Sequence, residues 1–176
     1  LFYTSGTTGR PKGVMLSHEN LVTMSISYTL DVDQVFPEDA ILYAAPISHG
    51  AGLYNFVHVR RGAKHIVPRS RGFDPKEILD LGERVGRLSF FAAPTMVKRL
   101  VEEAQASGRP GEGIKSIVYG GGPMYIADIE LALEVMGPKF IQIYGQGEVP
   151  MTITSLRREV IADTTAPRRR ERLGSV

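Results

Sequence analysis

Short apolar runs that read as strands alternate along this chain with stretches of helical periodicity, and that alternation restricts the fold more than any other feature. The strand-like runs are Leu1–Thr4, Gly13–Leu16, Ile41–Ala45, Lys64–Val67, Leu88–Ala92, Ser116–Tyr119, Phe140–Tyr144 and Met151–Ser155. Several are β-branched or aromatic and nearly continuous, as strands covered on both faces are. Between them, Leu21, Met24 and Tyr28 mark one face of a helix that follows Ser17. Asp74-Pro75-Lys76-Glu77 is a helix start, with an N-cap, a proline at the first helical position and a carboxylate able to reach back. Met96, Leu100 and Ala104 recur at helical spacing until Gly108, and Ile126, Ile129, Leu133 and Met136 do so until Gly137-Pro138. The pattern predicts an α/β layered domain with a largely parallel sheet flanked by helices.

Composition narrows the function classes. The 176 residues suffice for one core of ordinary size, and 43% hydrophobic with 23% charged residues is a globular balance. A net charge of only +2 argues against a dedicated nucleic-acid binder, so no nucleic-acid partner is expected. The absence of cysteine excludes a disulfide framework and a thiolate metal site, and fits the expected cytoplasmic location. No apolar run approaches the roughly 18 residues of a membrane helix. The α/β domain is expected over residues 1–156. From Arg157 onward the arginines Arg157, Arg158, Arg168, Arg169, Arg170 and Arg172 come with little apolar periodicity, so 157–176 reads as a basic, exposed and mobile tail. No aromatic residue interleaves these arginines, which disfavours a nucleic-acid arm.

The segment Phe2-Tyr3-Thr4-Ser5-Gly6-Thr7-Thr8-Gly9-Arg10-Pro11-Lys12-Gly13 reads as a loop built to hold phosphate. Thr4, Ser5, Thr7 and Thr8 supply hydroxyls. The glycines let backbone N–H groups approach an anion, and Lys12 adds a cation. It is not the common nucleotide loop G-x-x-x-x-G-K-[ST]. Lys12 lies between Pro11 and Gly13, no hydroxyl follows it, and Val14-Met15-Leu16 reads as strand rather than as a helix start. The bland alternative is a Gly/Ser/Thr-rich surface turn that binds nothing; the length and order of the segment weigh against it.

This order of residues closely resembles the signature loop of the adenylate-forming superfamily, which includes acyl-CoA synthetases, aryl-CoA ligases, luciferases and the adenylation domains of peptide synthetases. The resemblance implies that the chain is part of an acyl-CoA synthetase-like fold, and that Thr4, Ser5, Gly6, Thr7, Thr8, Gly9 and Lys12 bind the nucleotide. Three further segments resemble the same family. In Pro46-Ile47-Ser48-His49-Gly50-Ala51-Gly52, a histidine at a strand end, otherwise more often structural, is expected beside the acyl pocket and the carboxylate. In Tyr119-Gly120-Gly121-Gly122-Pro123, a simple tight turn by itself, the resemblance implies that Gly121, Gly122 and Pro123 pass along one face of adenine.

In Gln142-Ile143-Tyr144-Gly145-Gln146-Gly147-Glu148 the family usually reads Tyr-Gly-x-Thr-Glu. Tyr144, Gly145 and Glu148 match. The resemblance implies that Tyr144 covers adenine, that Gln142 reaches the adenine or the ribose side, and that Glu148 helps to hold Mg²⁺, a hard cation that needs oxygen ligands. Gly147 stands where a threonine normally meets the α-phosphate, so one hydroxyl is missing. His18, His58 and His65 have no such context and read as structural or exposed.

The implied activity is ATP-dependent activation of a carboxylic acid to an acyl-adenylate, followed by transfer to coenzyme A. Lys12, His49 and Glu148 are the catalytic candidates, with ATP and Mg²⁺ as cofactors and CoA as acceptor. Lys12 and the cation at Glu148 would reduce repulsion between carboxylate and polyphosphate, so no Ser/His/Asp triad is required. Two other classes stay open: a phosphoryl-transfer NTPase, and a non-catalytic nucleotide-binding fragment. Family members are much longer, with a later ribose-binding aspartate and a catalytic lysine that have no counterpart here. The chain is therefore expected to be an internal piece of an enzyme that partners the rest of the same protein and is inactive alone. Gly50, Ala51, Gly121 and Gly147 leave space that favours a bulky aryl or a longer acyl group.

Overall fold

A computed structural model describes residues 2–4 and 9–175; Ser5, Gly6, Thr7 and Thr8, named above for the phosphate loop, lie outside the described residues. Six strands make one sheet in the order β4-β3-β5-β6-β7-β8. They are β3 (Ala40–Leu42), β4 (Lys64–Ile66), β5 (Leu88–Ala92), β6 (Ile114–Tyr119), β7 (Phe140–Tyr144) and β8 (Thr154–Leu156). All neighbours pair parallel except β7 and β8, which run antiparallel. A separate antiparallel hairpin, β1 (Phe2–Thr4) with β2 (Lys12–Val14), sets Thr4 opposite Lys12.

Successive strand residues face opposite sides, and both sides are apolar. Leu42, Phe90, Ile117 and Phe140 enter a core with α3 (Pro75–Val85), α4 (Pro94–Ser107) and α5 (Ile126–Met136). Their chain neighbours Ile41, Val118 and Ile141 enter a second core with α1 (His18–Asp31) and α2 (Tyr54–Arg61). The continuous apolar runs have this cause: the inner strands β3, β5, β6 and β7 are sandwiched between two helical layers, whereas the edge strands β4 and β8 are partly exposed.

Local chemistry sets the helix ends. Ser17 caps α1 by accepting from the Asn20 N–H, while the Asn20 side chain accepts from the Ser17 N–H. Asp74 caps α3 by accepting from the Glu77 N–H at 3.1 Å. The Glu77 carboxylate does not reach back to the cap. It accepts from the N–H groups of Arg69 and Ser70 at 2.6 and 3.0 Å, and so pins the preceding loop. Hydrogen bonding from the Ser70 side chain, and then from the Ser70 and Arg69 N–H groups, holds the Glu77 carboxyl below the usual carboxylate range.

Two regions depart from the sequence expectation. α2 follows a turn of 3-10 helix at Gly50–Leu53, where no helical pattern was legible. The segment from Arg157 is anchored at two points, although Arg157, Arg168, Arg170 and Arg172 remain exposed as expected. It carries α6 (Arg158–Ala162) and α7 (Arg169–Leu173), and Ile161 and Leu173 are buried in the first core. Two apolar anchors suffice because the arginines beside them meet partners from distant segments. Arg158 donates to Asp33 Oδ1 at 2.8 Å and Ser116 Oγ at 2.7 Å, and Arg169 donates to Glu130 at 3.3 Å.

Candidate functional site

A cavity of about 420 Å³ opens at the C-terminal ends of β3, β5, β6 and β7. Counted from β3, the strand order is that of a doubly wound sheet whose direction of winding reverses between β3 and β5. Such a sheet leaves a crevice outside its strand ends at the reversal. The loop after β3 contributes His49, Gly50, Leu53 and Tyr54 to the cavity. The end of β5 contributes Phe91 and Ala93, and the turn after β6 contributes Gly120 and Gly121. The end of β7 and the turn beyond it contribute Ile143 and Gly145 through Glu148, with Met151. The hairpin closes one side with Phe2 and Thr4.

Of the residues singled out from the sequence, Thr4, His49, Gly121, Gly145 and Glu148 converge on this one cavity, although the chain separates them widely. His49 is exposed, and its ring stacks on Phe2 with centroids 6.0 Å apart and an interplanar angle of 18°. Its backbone closes a tight turn, with the His49 N–H donating to Pro46 O and the Gly52 N–H donating to His49 O. Gly121 adopts φ +79°, which L side chains rarely take, so glycine allows this turn to pass the cavity. At Gly145 the Met151 carbonyl occupies the space of a Cβ, and Met151 itself takes φ +72°. Such strain collects at functional sites.

Other candidates lie near the cavity but do not line it. Lys12 is exposed on the hairpin, directly across from Thr4, and Gly9 is exposed at its turn. Gly122 and Pro123 are exposed beyond Gly121. Tyr144 stands half in solvent, and its hydroxyl accepts from Gln146 Nε2 at 2.7 Å. Gln142 departs from expectation. Its side chain is buried, accepts from the Tyr119 hydroxyl at 3.3 Å and donates to Ser175 O at 2.8 Å. Its hydrogen bonds are spent inside the protein because its strand position faces α7 and the end of the chain rather than the cavity.

The walls missed in the sequence are mostly apolar: Leu53, Tyr54, Phe91, Ile143 and Met151. Tyr54 packs edge-on against Tyr28 with centroids 5.5 Å apart, and lies 5.6 Å from Phe91. Burial pushes its hydroxyl pKa far above the ordinary value. Phe91 and Ile143 carried one usable signal, since both sit at the C-terminal end of a parallel strand.

The polar groups are few. The N-termini of α1 and α3 are closed by the side chains of Ser17 and Asp74, whereas Ala93, which lines the cavity at the start of α4, offers no capping side chain. Pro94, first in α4, has no N–H to cap, and the Met96 and Val97 N–H groups donate to Ala93 O at 2.9 and 3.0 Å. Among the described residues no three His, Cys, Asp or Glu side chains gather into a metal cluster. Glu148 nevertheless fits Mg²⁺, which is commonly held by one or two carboxylates plus substrate phosphates and water. It is an exposed carboxylate on the same cavity as Thr4.

Comparison with known proteins agrees with this geometry. The chain is 31% identical over 158 residues to a medium/long-chain-fatty-acid–CoA ligase of Mycobacterium tuberculosis, covering 90% of this chain and 27% of the relative. It is 30% identical over 165 residues to a feruloyl-CoA synthase of an Amycolatopsis species, covering 93% and 33%. The O-succinylbenzoate coenzyme A synthetase of Bacillus subtilis, solved with ATP and a magnesium ion, superposes with a TM-score of 0.79 at 31% identity, over 90% of this chain and 32% of that one. The chain thus spans roughly a third of the length of the relatives it matches. The sequence profile described as AMP-binding enzyme matches residues 1–176 throughout, and the chain belongs to that family, within the adenylate-forming superfamily.

Proposed function

We propose that this chain supplies the phosphate-side and acyl-side surfaces of an acid–thiol ligase that activates a carboxylic acid with ATP and passes the acyl group to coenzyme A. The observation that carries the reading is the convergence of Thr4, His49, Gly121, Gly145 and Glu148 on one cavity at the winding reversal of the sheet. A carboxylate oxygen of the acid attacks the α-phosphorus, the bond to the β-phosphate breaks, and pyrophosphate leaves. The thiol sulfur then attacks the acyl carbon, and AMP leaves with the electrons of its C–O bond.

In this reading Lys12 and the loop from Thr4 to Gly9 hold the polyphosphate, and His49 lies beside the acid. Gly121, Gly122 and Pro123 follow one face of adenine, while Tyr144 covers it from the rim. Glu148 would hold Mg²⁺, which supplies charge neutralisation at the phosphates when bound. The apolar walls around Phe91 and Tyr54 favour an aryl or longer acyl group, fitted by burial rather than by hydrogen bonds. A cytoplasmic location completes the reading. It is supported by the lack of cysteine, and by the lack, among the described residues, of a helix long and apolar enough to cross a membrane.

The test is acid-dependent ATP–pyrophosphate exchange in the protein at the length of its relatives, over a panel of fatty and aromatic acids. Exchange is expected, with AMP as product after CoA is added. Glu148→Gln should then shift the Mg²⁺ titration upward on the order of tenfold, the size of a metal-site perturbation. ADP as product would replace this reading with phosphoryl transfer, and nucleotide binding without any exchange would leave a binding module.

A further inference from the structure

The turn after β7 departs from the usual family pattern at Gly147, and the structure gives the departure a steric cause. The backbone at Gly147 is outside the left-handed region, so its conformation alone does not demand glycine. Space does. A Cβ at 147 would lie 2.5 Å from Thr4 Cγ2 and 3.0 Å from Cδ1 and Cε1 of the Phe2 ring. The methyl of Thr4, not its hydroxyl, is the group nearest this position.

The two intruding side chains belong to the hairpin that carries the phosphate loop. Among the described residues that hairpin pairs only with itself, as a two-stranded sheet apart from the six-stranded one, and no ladder of backbone hydrogen bonds ties it to the body of the protein. Side-chain packing then sets its position. Phe2 does this on two sides at once, approaching Gly147 on the turn after β7 and stacking on His49 on the turn after β3.

We propose that Gly147 is a socket for Thr4 and Phe2, which seats the phosphate-loop hairpin on the cavity and, through Phe2, holds His49 in place. Where relatives usually spend this position on a hydroxyl toward phosphate, this chain spends it on docking the loop. Gly147, Thr4 and Phe2 therefore act as a positioning unit, and restoring the usual threonine damages the site instead of completing it. The kinetic part of the proposal rests on the activity proposed above; the docking part does not.

The experiment uses the protein at the length of its relatives in five forms: the parent, Gly147→Ala, Thr4→Ser, those two together, and Gly147→Thr. Serine keeps the hydroxyl of Thr4 and removes only the methyl that meets the socket. Hydrogen exchange of the hairpin amides is read without any acid substrate, and KM for ATP and kcat are read by pyrophosphate exchange. Gly147→Ala should speed hairpin exchange and raise KM for ATP about tenfold, since small misplacements at a reacting site are costly. In the Thr4→Ser background the same substitution should cost about twofold or less, a coupling expected only of groups in contact. Gly147→Thr should lose activity. An unchanged hairpin and KM in Gly147→Ala, equal losses in both backgrounds, or a gain from Gly147→Thr would each overturn the socket. If no acid is activated at all, the proposed function fails while the hydrogen-exchange cycle still decides the docking.

Discussion

At the N-terminal ends of β3, β5 and β6 this chain buries charge, whereas at the C-terminal ends it leaves apolar walls, glycine turns and space. Asp39 is fully buried just before β3, where it accepts from Lys115 Nζ and Arg87 Nε, each at 2.6 Å, and from the Phe36 N–H at 3.0 Å. Asp33 accepts from Arg158 at 2.8 Å and lies 3.6 Å from Lys115, which also donates to Gln34 O. Both Arg87 and Lys115 stand 5.5 Å from the Phe36 ring centroid. Each charge there is answered by another. At the opposite end Lys12 and Glu148 take part in no ion pair among the described residues. One end of the sheet thus pairs its charges, while the charges near the other end are unpaired among the described residues.

The largest effect should come from the charged end. Asp39→Ala leaves Lys115 and Arg87 without their buried acceptor and should cost about 3–5 kcal/mol of stability by chemical denaturation, as loss of one partner of a buried pair does. Activity per folded molecule should hold. A loss below about 1 kcal/mol would class the network with surface ion pairs and erase the contrast.

Acid tests the region between the two ends. Burial pushes His58 down to about 4, against the hydrogen bond from its Nδ1 to the Tyr54 carbonyl at 2.8 Å, which works the other way. Between about pH 4 and the unfolded value near 6.5, the unfolded chain binds the proton and the folded chain does not. Stability from this group is therefore complete above about 6.5 and falls as pH drops toward 4, by about 3 kcal/mol in all. Asp39 adds a later loss. Burial would raise its carboxyl, but hydrogen bonds from Lys115, the Phe36 N–H and Arg87 hold it below the usual value, so its contribution disappears as pH falls below about 4. A melting series from pH 7.5 to 4 should flatten in His58→Asn. An identical slope in both proteins would remove His58 as the cause.

The smallest of these effects belongs to the open end and should be confined to chemistry. Lys12→Ala, exposed on the hairpin, should lower pyrophosphate exchange on the order of 10²-fold, the usual cost of one transition-state donor, with no change in melting temperature. Full exchange activity would remove Lys12 from the proposed phosphate site, and a large loss of stability would show that the two ends are not divided as described.

The sequence alone determined the layering. Runs such as Phe90-Phe91 and Ile117-Val118 are apolar at consecutive positions because each strand meets a helical layer on both faces, and that pattern is local and legible. Thr4, His49, Gly121, Gly145 and Glu148 are marked by the resemblance of four short segments to one family, which local sequence carries as a fixed order of residues. The sequence failed where partners are far apart in the chain. Arg158 and Arg169 read as solvated until Asp33, Ser116 and Glu130 are brought beside them. Gln142 reads as a ligand contact until Tyr119 and Ser175 take its hydrogen bonds. Gly147 reads as a lost hydroxyl until Thr4 and Phe2 are found filling its place. Composition and spacing encode which face of an element is apolar and where the backbone can turn. Which groups answer one another across the fold depends on excluded volume and charge pairing between distant segments, and only the tertiary structure decides that.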